Sequence, residues 1–110
     1  LPSLQGLTSL QSLNLSNCHE LTALPPLQGL TELRLLVLRD CWRLTDLPPL
    51  QDLTALEFLD MNGCGQLADV TPVLSLSNLI ALDLIRSGCT QKLSWVELQQ
   101  KLTKLKTLHC

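Results

Sequence analysis

The chain has 110 residues, of which 45% are hydrophobic and 3% aromatic, so any core must be built mainly from aliphatic side chains. Eight basic residues against ten acidic ones give a net charge of -2, which offers no positive field to a nucleic acid or an anionic membrane. No apolar run reaches the ~18 residues that a membrane span needs, and the five cysteines lack the close pairs of a disulfide framework, which favours a reducing, cytoplasmic setting.

The most informative feature is an internal repeat. Cys18, Cys41 and Cys64 are separated by 41 − 18 = 23 and 64 − 41 = 23 residues, and the segments that end at them read LQSLNLSNC, LRLLVLRDC and LEFLDMNGC. A fourth segment, LIALDLIRS, keeps the register with Ser87 in place of cysteine, and a fifth, LKTLHC, stops at Cys110. We therefore expect residues 1–110 to form one repeat domain of about four and a half coils, truncated at both ends.

The segments between the repeats carry leucine at every third position. In the first two repeats these leucines are Leu21, Leu24, Leu27, Leu30 and Leu33, then Leu44, Leu47, Leu50, Leu53 and Leu56. Paired prolines at 25–26 and 48–49 exclude a regular α-helix, whereas 3₁₀ turns and extended polyproline segments have three residues per turn. Each return arm is therefore predicted to be 3₁₀ or extended.

The last repeat departs from this pattern. The spacing of its LTxL phrase is 102 − 76 = 26 instead of 23, and the inserted segment contains Ser94-Trp95-Val96-Glu97, which has the form of a helix capping box. Leu98, Leu102 and Leu105 continue one apolar helical stripe from Trp95. One short α-helix of about two to three turns is expected here, on the convex side.

With these repeats, the chain resembles the leucine-rich repeat family, whose LxxLxLxxN/C-x-L signature runs through nearly the whole sequence. The phrases LxLxxCxxLxxLPxL are most similar to repeats of plant intracellular immune receptors, and the short return arms are similar to the phosphatase-regulatory subclass; the sequence does not separate the two. The resemblance implies an α/β solenoid with one parallel strand per coil on a concave face and a tight turn at the cysteine. The Leu13 and Leu15 positions of each coil should then form two buried rows.

The cysteine ladder has two interpretations. Stacked coils would bring successive thiols to about the strand spacing, as a metal or redox site would require. The family resemblance instead implies that Cys18, Cys41 and Cys64 point inward and satisfy backbone carbonyls of the turn. We favour the second interpretation, with all three buried, because zinc needs converging tetrahedral ligands and not a one-dimensional row.

The sequence contains no phosphate-binding loop, nucleophile elbow or HExxH motif. Asp60 and Asp83 occupy equivalent strand positions, which suggests either an acid–base pair or a solvated strand face. We favour the solvated face because no third ligand or activating group accompanies them. The chain is therefore predicted to be no enzyme and to hold neither metal nor cofactor.

The alternation of a strand sends the residues between the leucines to the concave face, where the middle coils carry unexpected apolar side chains. The predicted partner-binding residues are Arg34, Leu35, Val37, Arg39, Glu57, Phe58, Asp60, Ile80, Asp83 and Ile85. Trp42, just past the turn, could extend this patch. The alternative is that these are the scattered apolar residues found on any surface. An apolar centre with a charged rim favours an interface.

We therefore interpret the chain as a protein-binding module that belongs to a larger intracellular signalling or immune-type protein. A structural spacer or dimerisation element without a specific concave ligand is the alternative, and an enzyme is a distant third. An isolated fragment with open ends is also expected to associate end to end.

Overall fold

The computed structural model describes residues 6–24, 27–67, 71–86 and 95–109. Within these ranges, five strands form one sheet in chain order, and every neighbouring pair is parallel. The strands are β1 (Ser12–Asn14), β2 (Leu35–Val37), β3 (Phe58–Asp60), β4 (Ala81–Asp83) and β5 (Thr107–His109). The one-strand-per-coil solenoid expected from the repeats is confirmed, and we call the solvent-facing side of this sheet the concave face.

The register of the sheet follows the sequence repeat. Leu35 pairs with Phe58 and Leu36 with Leu59, so each residue lies beside the residue 23 positions later. Between β4 and β5 the step is 26, since Ala81 pairs with Thr107. The three inserted residues therefore enlarge the last return arm and do not shift the strand pairing.

The central residue of each strand points into the core, as the alternation predicts. Leu36, Leu59 and Leu82 expose at most 2% of their surface, and the following row of Leu38, Met61 and Leu84 is equally buried. The expectation of full burial is wrong for the outer coils, where Leu13, Leu15 and Leu108 are only partly buried. Among the described residues, these coils are covered by a neighbour on one side only.

The return arms are chains of three-residue turns. The amide of Leu30 donates to the carbonyl of Leu27, and the amide of Leu33 donates to that of Leu30; the next coil repeats these bonds at 53 and 56. A regular 3₁₀ helix forms at Thr71–Ser75. The leucine at every third position is thus explained, because each 3₁₀-type turn brings the next leucine back to the core side.

The short helix near the C-terminus is also confirmed. α1 (Trp95–Lys101) packs against the 3₁₀ helix of the preceding coil, and Leu98 and Leu102 are buried. The predicted cap at Ser94 lies outside the described residues.

After each of the first four strands, one fixed position of the turn has a left-handed backbone. Asn17, Asp40, Gly63 and Arg86 follow one another at 23-residue steps and have φ values of 61°, 59°, 86° and 60°. Side chains other than glycine and asparagine adopt this conformation at a cost.

Candidate functional site

The cysteine ladder lies inside the turns. The Cys41 thiol donates to the carbonyl of Leu15 at 3.0 Å, and the Cys64 thiol donates to that of Leu38 at 3.0 Å, one coil earlier in each case. Both cysteines are fully buried. The interpretation of the ladder as a structural element of the turn is therefore confirmed for these two thiols.

Cys18 departs from the expected burial. Its side chain is only partly buried, and its thiol lies 4.0 Å from the carbonyl of Ser16 in its own turn. Cys41 and Cys64 each donate to a carbonyl of the preceding coil. The described residues include no coil before that of Cys18, so its thiol has no equivalent acceptor there. Cys110 lies outside the described residues, and across the described ranges no three His, Cys, Asp or Glu side chains are grouped to hold a metal ion.

Burial controls the acidity of the inner thiols. Removal from water raises the pKa of Cys64 to about 12, and the nearby Cys41 adds to this rise. The pKa of Cys41 is raised by the same desolvation. Because thiolate is the nucleophilic form, these side chains are suited to filling and bonding the core and not to reacting.

The carboxylates of Asp60 and Asp83 close the strand ends. The amide of Asn62 donates to Asp60 Oδ1 at 3.0 Å, and the amide of Ile85 donates to Asp83 Oδ1 at 3.0 Å. Asn14 makes the equivalent bond with the amide of Ser16. Asp60 and Asp83 are half buried, and each accepts a backbone hydrogen bond, whereas we expected carboxylates on a solvated strand face. These local bonds give both carboxylates a structural role.

Two ion pairs join the second and third coils across the concave face. Arg34 binds the Glu57 carboxylate at 2.6 Å, and Arg39 binds Asp60 at 3.2 Å. Both arginines are at least half exposed in their side chains, so each pair contributes less than ~1 kcal/mol to stability. Their main effect is to place a charged pair before and after the strands β2 and β3.

An exposed apolar pair lies between these ion pairs. Leu35 and Phe58 are register partners on β2 and β3, and they expose 37% and 44% of their surfaces. Val37 is half buried in the next outward position of β2, where the first, third and fourth coils carry Asn14, Asp60 and Asp83. The second coil has thereby exchanged a turn-closing side chain for an apolar one.

This pair forms one wall of a shallow depression of about 280 Å³. It is lined by Leu35, Val37, Phe58, Leu59, Asp60, Ala81, Leu82, Asp83, Thr107 and His109. The structure thus brings together five of the predicted residues: Leu35, Val37, Phe58, Asp60 and Asp83. The sequence interpretation did not assign Ala81, Thr107 and His109 to the site, although the decrease in side-chain size from Phe58 to Ala81 was visible in the repeat columns.

The other predicted residues lie around this depression. Arg34, Glu57 and Ile80 line a second hollow on the side where the chain enters the strands. Arg39 and Ile85 lie on the opposite side, next to the turns. They form a rim to the depression and do not contribute to its floor.

Trp42 is not among the residues that line the depression. Its ring lies 6.0 Å from that of His19 in the preceding coil, and the Arg43 guanidinium lies 5.2 Å from its centre.

The described part of the chain contains no helix that is both long and apolar enough to cross a membrane. A search of curated proteins gave no match. The family model described as leucine rich repeats, in two copies, matches residues 31–75. This segment contains β2 and β3, and the same strand register continues through β1, β4 and β5 outside it. Residues 31–75 thus carry leucine-rich repeats, and the described strands extend the same repeat solenoid on both sides of this segment.

Proposed function

We propose that this chain is a protein-recognition module that binds its partner on the concave face. Leucine-rich repeat domains are generally protein–protein interaction modules. The observation that carries the proposal for this chain is the exposed pair of Leu35 and Phe58 at the centre of the sheet. A solvated strand face has no need of two adjacent large apolar side chains.

The surroundings of this pair match the anatomy of an interface. An apolar partner group placed on it would remove roughly 100 Å² of apolar surface from water, worth ~2 to 3 kcal/mol. The ion pairs Arg34–Glu57 and Arg39–Asp60 form the rim, where charges set orientation and association rate more than affinity. A net charge of -2 favours a protein partner over a nucleic acid or an anionic membrane.

The wider setting is part of the same proposal. The free thiols of Cys18, Cys41 and Cys64 support a reducing, cytoplasmic location. The similarity of the LPPL-containing repeats to those of plant-type immune receptors supports a parent protein in intracellular signalling or immunity. The module itself would have no catalytic role.

A photo-crosslinking experiment tests the binding face. We would place a photoreactive phenylalanine analogue at position 58 or at Gln51, an exposed residue of a return arm. We expect a discrete crosslinked partner from position 58 and none from position 51. Phe58→Ala should weaken binding of that partner by roughly ten- to a hundredfold.

A matched pair of double variants separates recognition from a spacer function. Leu35→Ser with Phe58→Ser alters the apolar pair, and Gln28→Ser with Gln51→Ser alters two exposed arm residues at the same 23-residue spacing. An unlabelled chain should compete with the photoreactive chain for the partner and so reduce the crosslink. Only the first double variant should lose this ability. If both variants compete as well as the unchanged chain, the concave face has no specific ligand, and the chain is a spacer or dimerisation element.

A further inference from the structure

The depression on the concave face results from a change in side-chain size between neighbouring strands. Phe58 on β3 pairs with Ala81 on β4, which in turn pairs with Thr107 on β5. The aromatic ring therefore borders a floor of small side chains, and about 280 Å³ is left open. Sites for drug-sized ligands occupy ~300 to 1,000 Å³, so this volume suits one large side chain.

The walls of the depression favour an aromatic occupant. Phe58 of β3 and His109 of β5 both line the depression, on the two strands that flank β4. Aromatic rings pack against one another in offset or edge-to-face arrangements with centroids ~4.5 to 7 Å apart. A ring inserted over Ala81 of β4 therefore has an aromatic residue on each neighbouring strand.

One side of the depression carries a carboxylate with only neutral partners. Asp83 Oδ1 accepts the amide of Ile85 at 3.0 Å, and Asp83 Oδ2 accepts the side-chain amide of Asn62 at 3.5 Å. Asp60, the neighbouring carboxylate, is already paired with Arg39. Among the residues that the structure describes, no cation lies within ion-pair distance of Asp83, so its charge is left to attract a cation from outside.

We propose that the depression receives an aromatic side chain of the partner protein, and that a positively charged group next to this side chain pairs with Asp83. The inference rests on the proposed recognition function and specifies the chemistry of its ligand. The ring lies over Ala81 against Phe58, and the cation lies over the strand end at Asp83. An acidic residue beside the aromatic side chain is disfavoured at the same position.

Two small indoles of opposite charge test this proposal on the intact chain. Tryptamine joins an indole ring to an ammonium group, and indole-3-propionate joins the same ring to a carboxylate. Each is titrated while the backbone amide signals of Ala81 and Thr107 are followed by NMR. We expect tryptamine to move both signals and to bind at least about threefold more tightly than indole-3-propionate, the size expected for a part-exposed ion pair.

Three variants identify the source of the binding. Asp83→Asn should abolish the preference for tryptamine, and it keeps the Oδ1 acceptor, since Asn14 makes the equivalent bond in the first coil. Asp52→Asn, at an exposed carboxylate of a return arm, should leave the preference unchanged. Ala81→Leu should fill the depression and weaken both indoles at least tenfold, with an unchanged circular dichroism spectrum as the control for folding.

The outcomes separate this inference from the recognition function itself. Equal affinity for the two indoles, or a preference for tryptamine that survives Asp83→Asn, would overturn the proposed cation. Absence of a shift at Ala81 and Thr107 with either indole would overturn the aromatic site. If the partner crosslinked at position 58 is lost with Phe58→Ala but retained with Ala81→Leu, the concave face binds its partner and the depression is not the anchor.

Discussion

The thiol of Cys64 donates a 3.0 Å hydrogen bond to the carbonyl of Leu38, which belongs to the preceding coil. Cys64→Ala would remove this donor and leave a small cavity in the turn, so we expect it to lower the free energy of unfolding by about 1 to 3 kcal/mol. Cys18→Ala, at a partly buried thiol 4.0 Å from the carbonyl of Ser16, should cost less than about 1 kcal/mol. Urea unfolding of both variants measures the difference. Equal losses would show that the bond between coils does not stabilise the turn.

Alkaline pH should destabilise the fold through the same thiol. The pKa of Cys64 is raised by burial to about 12 in the folded chain, against an ordinary cysteine value of 9.0. Between these two values the unfolded thiol releases its proton while the folded thiol retains it, so stability is complete below pH 9 and falls as the pH rises toward 12. Urea unfolding at stepwise increasing pH tests this, with Cys64→Ala as the control. If Cys64→Ala loses as much stability as the unchanged chain when the pH rises, Cys64 is not the cause of the alkaline destabilisation.

The strand register predicts opposite effects at two adjacent residues. Leu59 is 2% exposed in the core, and Leu59→Ala should cost about 2 to 5 kcal/mol of stability. Phe58 points to the concave face with 44% of its surface exposed, and Phe58→Ala should cost less than about 1 kcal/mol. Thermal unfolding of the two variants decides the register. The reverse order would mean that the strand faces are exchanged, and every concave assignment would then be wrong.

Two glycines with the same backbone conformation allow a test of the turn between strand and flank. Gly29 and Gly63 have φ values of +84° and +86°, so alanine is strained at both. A Cβ atom at Gly29 meets open space, whereas at Gly63 it would lie 3.2 Å from Asp40 Cα and close to its carboxylate. Gly63→Ala should therefore lower the free energy of unfolding by about 1 kcal/mol more than Gly29→Ala. Matching unfolding midpoints for the two variants would contradict the close stacking of adjacent turns.

The repeat in the sequence was sufficient to predict the fold, for a physical reason. A coil that cannot bury its own leucines must stack on an identical coil in register, so the 23-residue spacing fixes which residues pair. Leu35 beside Phe58 and Leu36 beside Leu59 follow from that spacing alone. Partial burial of Leu13 and Cys18 follows from their place in the first described coil, which a repeat pattern by itself does not encode.

The site was less completely predictable, because its shape depends on side chains and on the turn. The spacing placed Asp60 and Asp83 in one column, but it did not reveal that each carboxylate turns back to the amide two residues later. Trp42 was adjacent in sequence to the apolar patch, yet it is absent from the lining of the depression. The depression over Ala81 arises from a size difference between columns, which a list of apolar residues does not show.

The direction of the thiol bonds bears on how the chain folds while it is being synthesised. In the two thiol bonds between coils, the donor lies 26 residues after its acceptor: Cys41 donates to the carbonyl of Leu15, and Cys64 donates to that of Leu38. On a ribosome, each cysteine emerges after the carbonyl that it needs. The thiol bond of each new turn can therefore form to a coil that has already emerged, and the ladder favours growth of the solenoid from its N-terminal side.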